Sequence, residues 1–520
     1  MRDVIALSVF RHRMEALAEE MGSVLQRTAT APNIKERRDY SCAVFDAAGR
    51  LAAQGAHLPV HLGSMAASVA AVMDRFELRR GDVGIINDPF HGGTHLPDIT
   101  LVSAVEADDG ERIGYVATRA HHVDVGGISP GSMPLATEIF QEGVIIPPSL
   151  LRRGRKWDEG LLTVIAAQVR RPDVVRADLR AQLAAQDVGA RRLLEVRDGL
   201  VERDLAAAVA ELVAYTERAT RAAIAEIPDG RYQAEDQLDE MLPGGDPVRI
   251  AVTVDVRGDE LHVDFAGSDP QRPGPLNAVE TVTRSAVYYC VRCLLRDEVP
   301  MNHGCFAPVT VAAPAGSVVN ARHPAAVSGG NVETSQRIVD VVLRALAPAL
   351  PERMPAAGQG TMNNVTFGGH DRTRGRPFVW YETLGGGTGA GPEHDGLSAV
   401  HVAMSNTRNT PVEAIEFELP VRIGRYAIRR GSGGEGRHRG GDGVERVYEF
   451  LEEASGTVIS ERRRLAPWGL RGGAPGGRGE NELRRADGSV VELGGKAHFD
   501  VAAGDSLVIR TPGGGGWGAG

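Results

Sequence analysis

Asn87-Asp88-Pro89-Phe90-His91-Gly92-Gly93-Thr94-His95-Leu96-Pro97-Asp98 runs directly into the apolar stretch Ile99 to Val105. After Asp108-Asp109-Gly110 a second such stretch, Ile113 to Thr118, leads into His121-His122-Val123-Asp124-Val125-Gly126-Gly127. Two short apolar runs flanking an Asp-Asp-Gly turn signal predict a β-hairpin. Antiparallel pairing then brings the chain just before Ile99 alongside the chain just after Thr118, so His95, Asp98 and one of His121 and His122 converge at the hairpin mouth. Neighbouring strand residues point to opposite faces, and only one of the two histidines can share an ion with Asp98. The other is left for a supporting or substrate-facing role. Two imidazoles and a carboxylate at strand ends suit a catalytic divalent metal, zinc or manganese, with positions left for water. Asp39 precedes a different strand and is a further carboxylate candidate.

Outward from this hairpin the pattern changes period several times. Phe10, Met14, Leu17, Met21 and Leu25 recur at helical spacing and predict an N-terminal amphipathic helix ending before Ala31-Pro32-Asn33. Cys42 to Asp46 and Leu51 to Gln54 flank Ala47-Ala48-Gly49-Arg50 as another hairpin, and Val83 to Ile86 reads as a short strand. A helical block runs from about Leu161 to Ala225 and closes at Ile227-Pro228-Asp229-Gly230. Ile250 to Val256 and Leu261 to Phe265 form a hairpin around Arg257-Gly258-Asp259, and helices follow near Thr281 to Leu295 and Thr334 to Leu346. From about Pro411 β-like segments alternate with dense glycine, at Gly431 to Gly443 and Gly513 to Gly516. The expectation is an α+β, multi-domain chain with mixed and antiparallel sheets: residues 1–240 carrying the metal site and helical block, 241–410 a middle α+β region, and 411–520 a glycine-rich β-containing region.

Composition excludes several function classes. The formal charge of -10, with both signs interspersed, argues against a nucleic-acid partner. No apolar run reaches membrane-spanning length, and Arg2 and Asp3 sit where a signal peptide would place its basic start and apolar core. Four cysteines, Cys42, Cys290, Cys293 and Cys305, are too few to staple so long a chain and favour a reduced, cytoplasmic protein. Cys290-x-x-Cys293 lacks a second cysteine pair, and the segment Ala286 to Leu295 reads as a buried helix in which these thiols act as small hydrophobes.

Other polar stretches carry weaker signals. Asp88 and His91 suit turn caps, while His57 and His61, around Leu58-Pro59-Val60, either line the pocket or pack. Gly385 to Gly391 resembles a phosphate cradle but lacks the Lys-Ser/Thr ending, and reads as a tight loop lining a cavity or interface. Ser328-Gly329-Gly330-Asn331 and Ser405-Asn406-Thr407-Arg408-Asn409-Thr410 are candidate polar pocket loops.

Asn33-Ile34-Lys35-Glu36-Arg37-Arg38-Asp39-Tyr40-Ser41, His57 to Met65, the Asn87 to Asp98 stretch, His121 to Gly127, Ala136 to Gly143, Asn406 to Glu413 and Thr511-Pro512-Gly513-Gly514-Gly515-Gly516-Trp517 resemble the hydantoinase B/oxoprolinase family. That family includes hydantoinase B subunits, half of 5-oxoprolinase, lactam hydrolases and the large subunit of acetone and acetophenone carboxylases. The resemblance implies Asp39, His95, Asp98 and His121 as metal ligands, His121 being taken over His122 by motif position. It also implies a separate hydantoinase A-type partner that holds ATP and magnesium. The expected activity is ATP-dependent opening of a small cyclic amide: the partner phosphorylates the ring oxygen, water acidified by the metal attacks the ring carbon, and His122 or Asp124 shuttles protons. A ketone carboxylase subunit and a non-catalytic scaffold subunit are the alternatives.

Overall fold

The hairpin lies at the centre of a seven-stranded sheet. The computed structural model describes residues 4–200 and 204–520; Arg2 and Asp3, and residues 201–203 within the helical block, lie outside the described residues. Strands β1 (Tyr40–Phe45), β2 (Leu51–Gln54), β3 (Val83–Ile86), β4 (Asp98–Glu106), β5 (Arg112–His121), β6 (Ser149–Arg153) and β7 (Lys156–Trp157) are ordered β2-β1-β5-β4-β3-β6-β7, every neighbour antiparallel.

The period-2 alternation of these strands gives the sheet two apolar faces. Ala43, Phe45, Val102, Ala104, Tyr115 and Ala117 pack under Met65, Val69 and Val72 of the helix Ser64–Arg75. On the other face Cys42, Val44, Val116 and Ala120 meet Phe10, Met14, Leu17, Met21 and Leu25 of the helix Val4–Thr28, and Ile99 and Leu101 meet Leu179 and Leu183 of the helix Pro172–Asp198. Each fully buried leucine or phenylalanine in these layers contributes about 2 kcal/mol of transfer free energy. A sheet clamped on both faces holds the ends of β4 and β5 rigidly, which is where the candidate ligands sit.

The helical block resolves into three helices with physical stops between them. Asp158 caps Glu159–Gln168 by accepting from the Leu161 N–H at 2.9 Å, Pro172 opens Pro172–Asp198, and Asp204 caps Leu205–Ile224 by accepting from Ala207. A mixed four-stranded sheet follows, in which Val309–Ala312 runs parallel to Glu260–Asp264 and the other neighbours are antiparallel. The helices Glu280–Leu294 and Ser335–Leu346 bury against this sheet. Two antiparallel sheets, of four and five strands, complete the α+β architecture.

The four cysteines do not all behave as buried small hydrophobes. Cys290 is buried in the helix Glu280–Leu294, but Cys293, in the last turn of that helix, is exposed. All four cysteines are free thiols. Among the described residues no helix is long and apolar enough to cross a membrane.

The glycine-rich stretches pack against one another. Gly387 N–H donates to Pro512, Gly441 to Thr388, Gly514 to Gly441, and Gly434 to Gly514, so that segments far apart in sequence share one hydrogen-bonded layer. A methyl group on Gly387 would fall 1.9 Å from the Gly441 carbonyl oxygen, and one on Gly514 would fall 1.9 Å from that of Thr388. Backbone therefore lies against backbone with no room for a side chain. Within Gly385 to Gly391 the N–H groups of Gly386, Gly387, Thr388, Ala390 and Gly391 are bonded to carbonyls of the chain itself, and are not turned outward as a phosphate cradle requires.

Candidate functional site

The register of β4 and β5 pairs Asp98 with His121 and Thr100 with Arg119, placing all four on the face covered by the helix Ser64–Arg75. Arg119 fills that face, donating to Thr100 Oγ1 at 2.8 Å and to the hydroxyl groups of Ser64 and Ser68. The backbone locks the strand ends together: His121 N–H donates to Asp39 O at 3.0 Å and His122 N–H to Pro97 O at 2.9 Å. One donor atom each from His95, Asp98 and His121 then lies within 4.8 Å of the others, and all three residues are buried.

Asp98 is the hub. Its Oδ1 lies 3.2 Å from His95 Nε2 and 3.4 Å from His121 Nδ1, while Oδ2 accepts from Thr94 Oγ1 at 2.7 Å and faces His61 Nε2 at 3.3 Å. Burial alone would raise the carboxyl, but His95 first, then His121 and His61, outweigh it and hold Asp98 well below the ordinary carboxylate range. Burial also disfavours charge on His95, and there the adjacent Asp98 wins and moves the imidazole upward. For His121 and His61 burial prevails and both are lowered.

The donor atoms fit a cation. His95 Nδ1 faces the Ser328 carbonyl at 3.3 Å, an acceptor, so a proton stays on Nδ1 and Nε2 is the nitrogen available to an ion. His95 Nε2 and His121 Nε2 are both buried without a hydrogen-bond partner, and the His95 contact to Asp98 lacks hydrogen-bond alignment. Buried imidazole nitrogens left bare beside an ionised carboxylate are costly in protein alone, and they are donors of the type a transition-metal ion takes. A cavity of about 20 Å³, room for about one water, adjoins Asp98 and His121 and is also lined by Arg37, Asp39 and His61.

The remaining sequence candidates divide. Asp39 lines the cavity, but its carboxylate is turned toward Arg37, 3.6 Å away, and lies outside the tight donor set. His61 lines the cavity, with Nδ1 2.8 Å from Ser41 Oγ, whereas His57 packs on Tyr40 and accepts from the Cys42 N–H. Asp88 caps a turn by accepting from Phe90 N–H and pairs with the exposed His91. His122 and Asp124, expected to shuttle protons, are not brought into the cavity. His122 leaves the strand on the opposite side, where Nε2 meets Gln182 Oε1 at 3.0 Å and burial pushes the imidazole down to about 4. Asp124 is held by the Arg170 guanidinium at 2.8 Å and the Arg170 N–H at 2.7 Å.

Several wall residues come from distant sequence. Tyr381 stacks on His121 with centroids 4.3 Å apart, and the Arg37 guanidinium stands 5.0 Å from the same ring. Asn331, Ser405 and Thr407, from the two polar loops, also line the cavity. No sequence signal marks Tyr381, an aromatic in a strand, where aromatics are common. Glu142 is buried beneath His95: its Oε1 accepts from the Val327 and Ser328 N–H groups, fixing the turn whose carbonyl orients His95.

Comparison with known proteins places these residues in a wider group. A model of the hydantoinase B/oxoprolinase family matches residues 3–520. 5-Oxoprolinase 1 of Arabidopsis thaliana is 40% identical over 99% of this chain, which spans only 42% of that protein's length. Among solved structures, the ATP-dependent caprolactamase of Pseudomonas jessenii superposes with a TM-score of 0.92 at 29% identity, covering 99% of this chain and 91% of that one. A nucleotide-free acetone carboxylase shares the fold, with a TM-score of 0.89 at 19% identity over 99% of this chain and 76% of its own.

Proposed function

This chain belongs to the hydantoinase B/oxoprolinase family, and from that premise we propose that it is the metal-binding half of an ATP-dependent cyclic-amide hydrolase. The carrying observation is the set of two bare imidazole nitrogens beside the ionised Asp98. His95, Asp98 and His121 hold a divalent ion, zinc or manganese, with Asp39 as the further carboxylate on the cavity wall. When bound, such an ion lowers the pKa of water and polarises a carbonyl oxygen. The chain itself supplies the positioning: Thr94 and His61 fix Asp98, the Ser328 carbonyl sets the His95 tautomer, and Tyr381 holds the His121 ring. His122 and Asp124 act from behind the strand ends as supports, through Gln182 and Arg170.

An unactivated amide is a poor electrophile, so a second half-site is required. The relative named 5-oxoprolinase 1 is more than twice as long as the region this chain matches, and the caprolactamase is named ATP-dependent. Both support a division of labour in which a hydantoinase A-type partner binds ATP and magnesium and phosphorylates the ring oxygen. The substrate class is a small cyclic amide: a hydantoin, 5-oxoproline or a lactam. The test compares this chain, the partner and their mixture for ring opening of these compounds, with and without ATP. Turnover is expected only in the mixture with ATP; full ATP-independent turnover by this chain alone refutes the reading.

A further inference from the structure

The polar loop Ser405-Asn406-Thr407-Arg408-Asn409-Thr410 forms part of the cavity wall, yet metal coordination makes no use of its hydroxyl groups. Ser405 and Thr407 line the cavity together with Asp98 and His121, and behind them stands the half-buried His401. Ser405 Oγ lies 3.2 Å from His401 Nδ1, and His401 Nε2 lies 3.1 Å from Asn409 Oδ1.

The proton positions follow from the partners. Asn409 Oδ1 accepts from the Gly385 N–H at 3.3 Å, while its Nδ2 donates to the Tyr426 hydroxyl at 2.6 Å. The amide is thus fixed with its acceptor toward His401, which places the imidazole proton on Nε2 and leaves the Nδ1 lone pair for the Ser405 hydroxyl. At the other end Arg37, which can only donate, bonds Thr383 Oγ1 at 2.6 Å; Thr383 and Thr407 hydroxyls are 3.2 Å apart, and those of Thr407 and Ser405 are 3.3 Å apart. One orientation satisfies every member, with each group donating to the next from Arg37 through Thr383, Thr407 and Ser405 to His401 and Asn409. The backbone is bent to hold this arrangement: Ala399 and Ala403, on either side of His401, have φ of 61 and 49, a region alanine seldom occupies. Strain of this kind persists where the surroundings over-determine a conformation.

We propose that Ser405 and His401 form the proton relay of the cavity, with Asn409 as the positioning residue that sets the imidazole tautomer. The inference rests on the cyclic-amide reading. Once the ring oxygen is phosphorylated, addition of one water forms a C–O bond at the ring carbon and the C–N bond breaks. Both protons of that water end on the ring nitrogen as an amine, leaving an acyl phosphate that a second water hydrolyses. A proton leaving the attacking water passes to Ser405 Oγ as the Ser405 proton passes to His401 Nδ1, and the reverse transfer delivers it to the departing nitrogen. Burial, with the charge of Arg37 behind it, pushes His401 down to about 4, so the ring is neutral with Nδ1 free at neutral pH.

The test uses the chain mixed with its ATP-binding partner. His401→Gln and Ser405→Ala are expected to lower kcat by roughly 100- to 10,000-fold, with KM within about threefold and metal content unchanged, and Ser405→Thr to restore most of the loss. Loss of metal, a loss confined to KM, or kcat within threefold of wild type overturns the relay. Nitrogen-15 resonances of histidine-labelled protein give a readout independent of turnover. They should show His401 as the Nε2–H tautomer, with its Nδ1 signal moving in Ser405→Ala; an Nδ1–H tautomer overturns the proposal. If the wild-type mixture opens no cyclic amide, the functional reading fails on its own account while these resonances still decide the relay geometry.

Discussion

Two regions of this molecule bury clusters of ionisable groups, and they are built on opposite principles. At the hub of the cavity one carboxylate, Asp98, is flanked by three imidazoles, two of which keep a bare nitrogen. In the second region Arg337, Arg462 and Lys496 face Asp236, Asp340 and Glu461. Arg337 lies 3.2 Å from Asp236 and 3.4 Å from Glu461, Arg462 lies 3.0 Å from Asp236 and 2.6 Å from Asp340, and Lys496 pairs with Glu461. Three cations meet these three carboxylates, and the buried Asp239 also lies in the field of Arg337 and Lys496. The atoms without partners there include the arginine Nε donors, whereas around Asp98 itself they are imidazole nitrogens, those of His95 and His121. Burial of charge is therefore no mark of function by itself; unused imidazole nitrogens are the distinguishing feature.

The sharpest way to break this contrast is to remove a ligand candidate. His95→Ala and Asp98→Ala should take bound metal from about one ion per chain to near none by elemental analysis. Ring opening by the mixture should fall by on the order of 1,000-fold or more, several kcal/mol of transition-state stabilisation, with circular dichroism unchanged. An active wild-type protein that carries no metal would end the argument. In the second region the effect should fall on stability instead. Arg337→Met leaves Asp236 and Glu461 short of a cation and should cost about 3–5 kcal/mol in urea unfolding, without changing metal stoichiometry.

Acid separates the regions more gently. Burial raises Asp236, but Arg337 and then Arg462 overcome it and hold the carboxyl far below its ordinary 3.8, so its contribution is present above that value and lost as pH falls through the depressed one. Glu142, beneath His95, runs the other way: burial pushes it from 4.5 up to about 7, so its contribution is present below 4.5 and lost as pH rises toward 7. In metal-free protein Glu142→Gln should match wild type at pH 4 and be more stable at pH 8, by up to roughly 3 kcal/mol. Equal unfolding midpoints of the two proteins at pH 8 would show that Glu142 ionises freely. The smallest effect is expected from Thr94→Val, which removes only the 2.7 Å hydrogen bond to Asp98 Oδ2. Metal affinity should drop about tenfold, measured by competition with a chromophoric chelator.

What was legible in the sequence was local. Asp108-Asp109-Gly110 announced the hairpin, and Asp98 and His121 pair directly in its register. Val83–Ile86 has the expected bounds, because a short apolar run with a turn signal beyond it has few alternatives. What was illegible depended on contacts across hundreds of residues. Tyr381 reaches His121, and Ser328 reaches His95, through packing that no periodicity encodes. His122 and Asp124 looked catalytic because they sit in a polar run, yet Gln182 and Arg170, on the far side, claim them. His57 and His61 are four residues apart, and only tertiary structure sends one to Tyr40 and the other to Asp98.

The glycine layer carries a consequence for how this chain can change over time. In an ordinary core an oversized substitution is forgiven when a neighbour shrinks, as when an enlarged valine is offset by trimming a leucine. Gly387, Gly441 and Gly514 touch one another through main-chain atoms, and a methyl group on Gly440 would stand 2.0 Å from the Gly514 oxygen. Glycine has no smaller replacement, and a carbonyl oxygen cannot be cut back. Second-site suppressors of a lesion in this layer are therefore unavailable among its own members, and a selection for revertants of Gly387→Ala should return the original codon rather than a compensating change nearby.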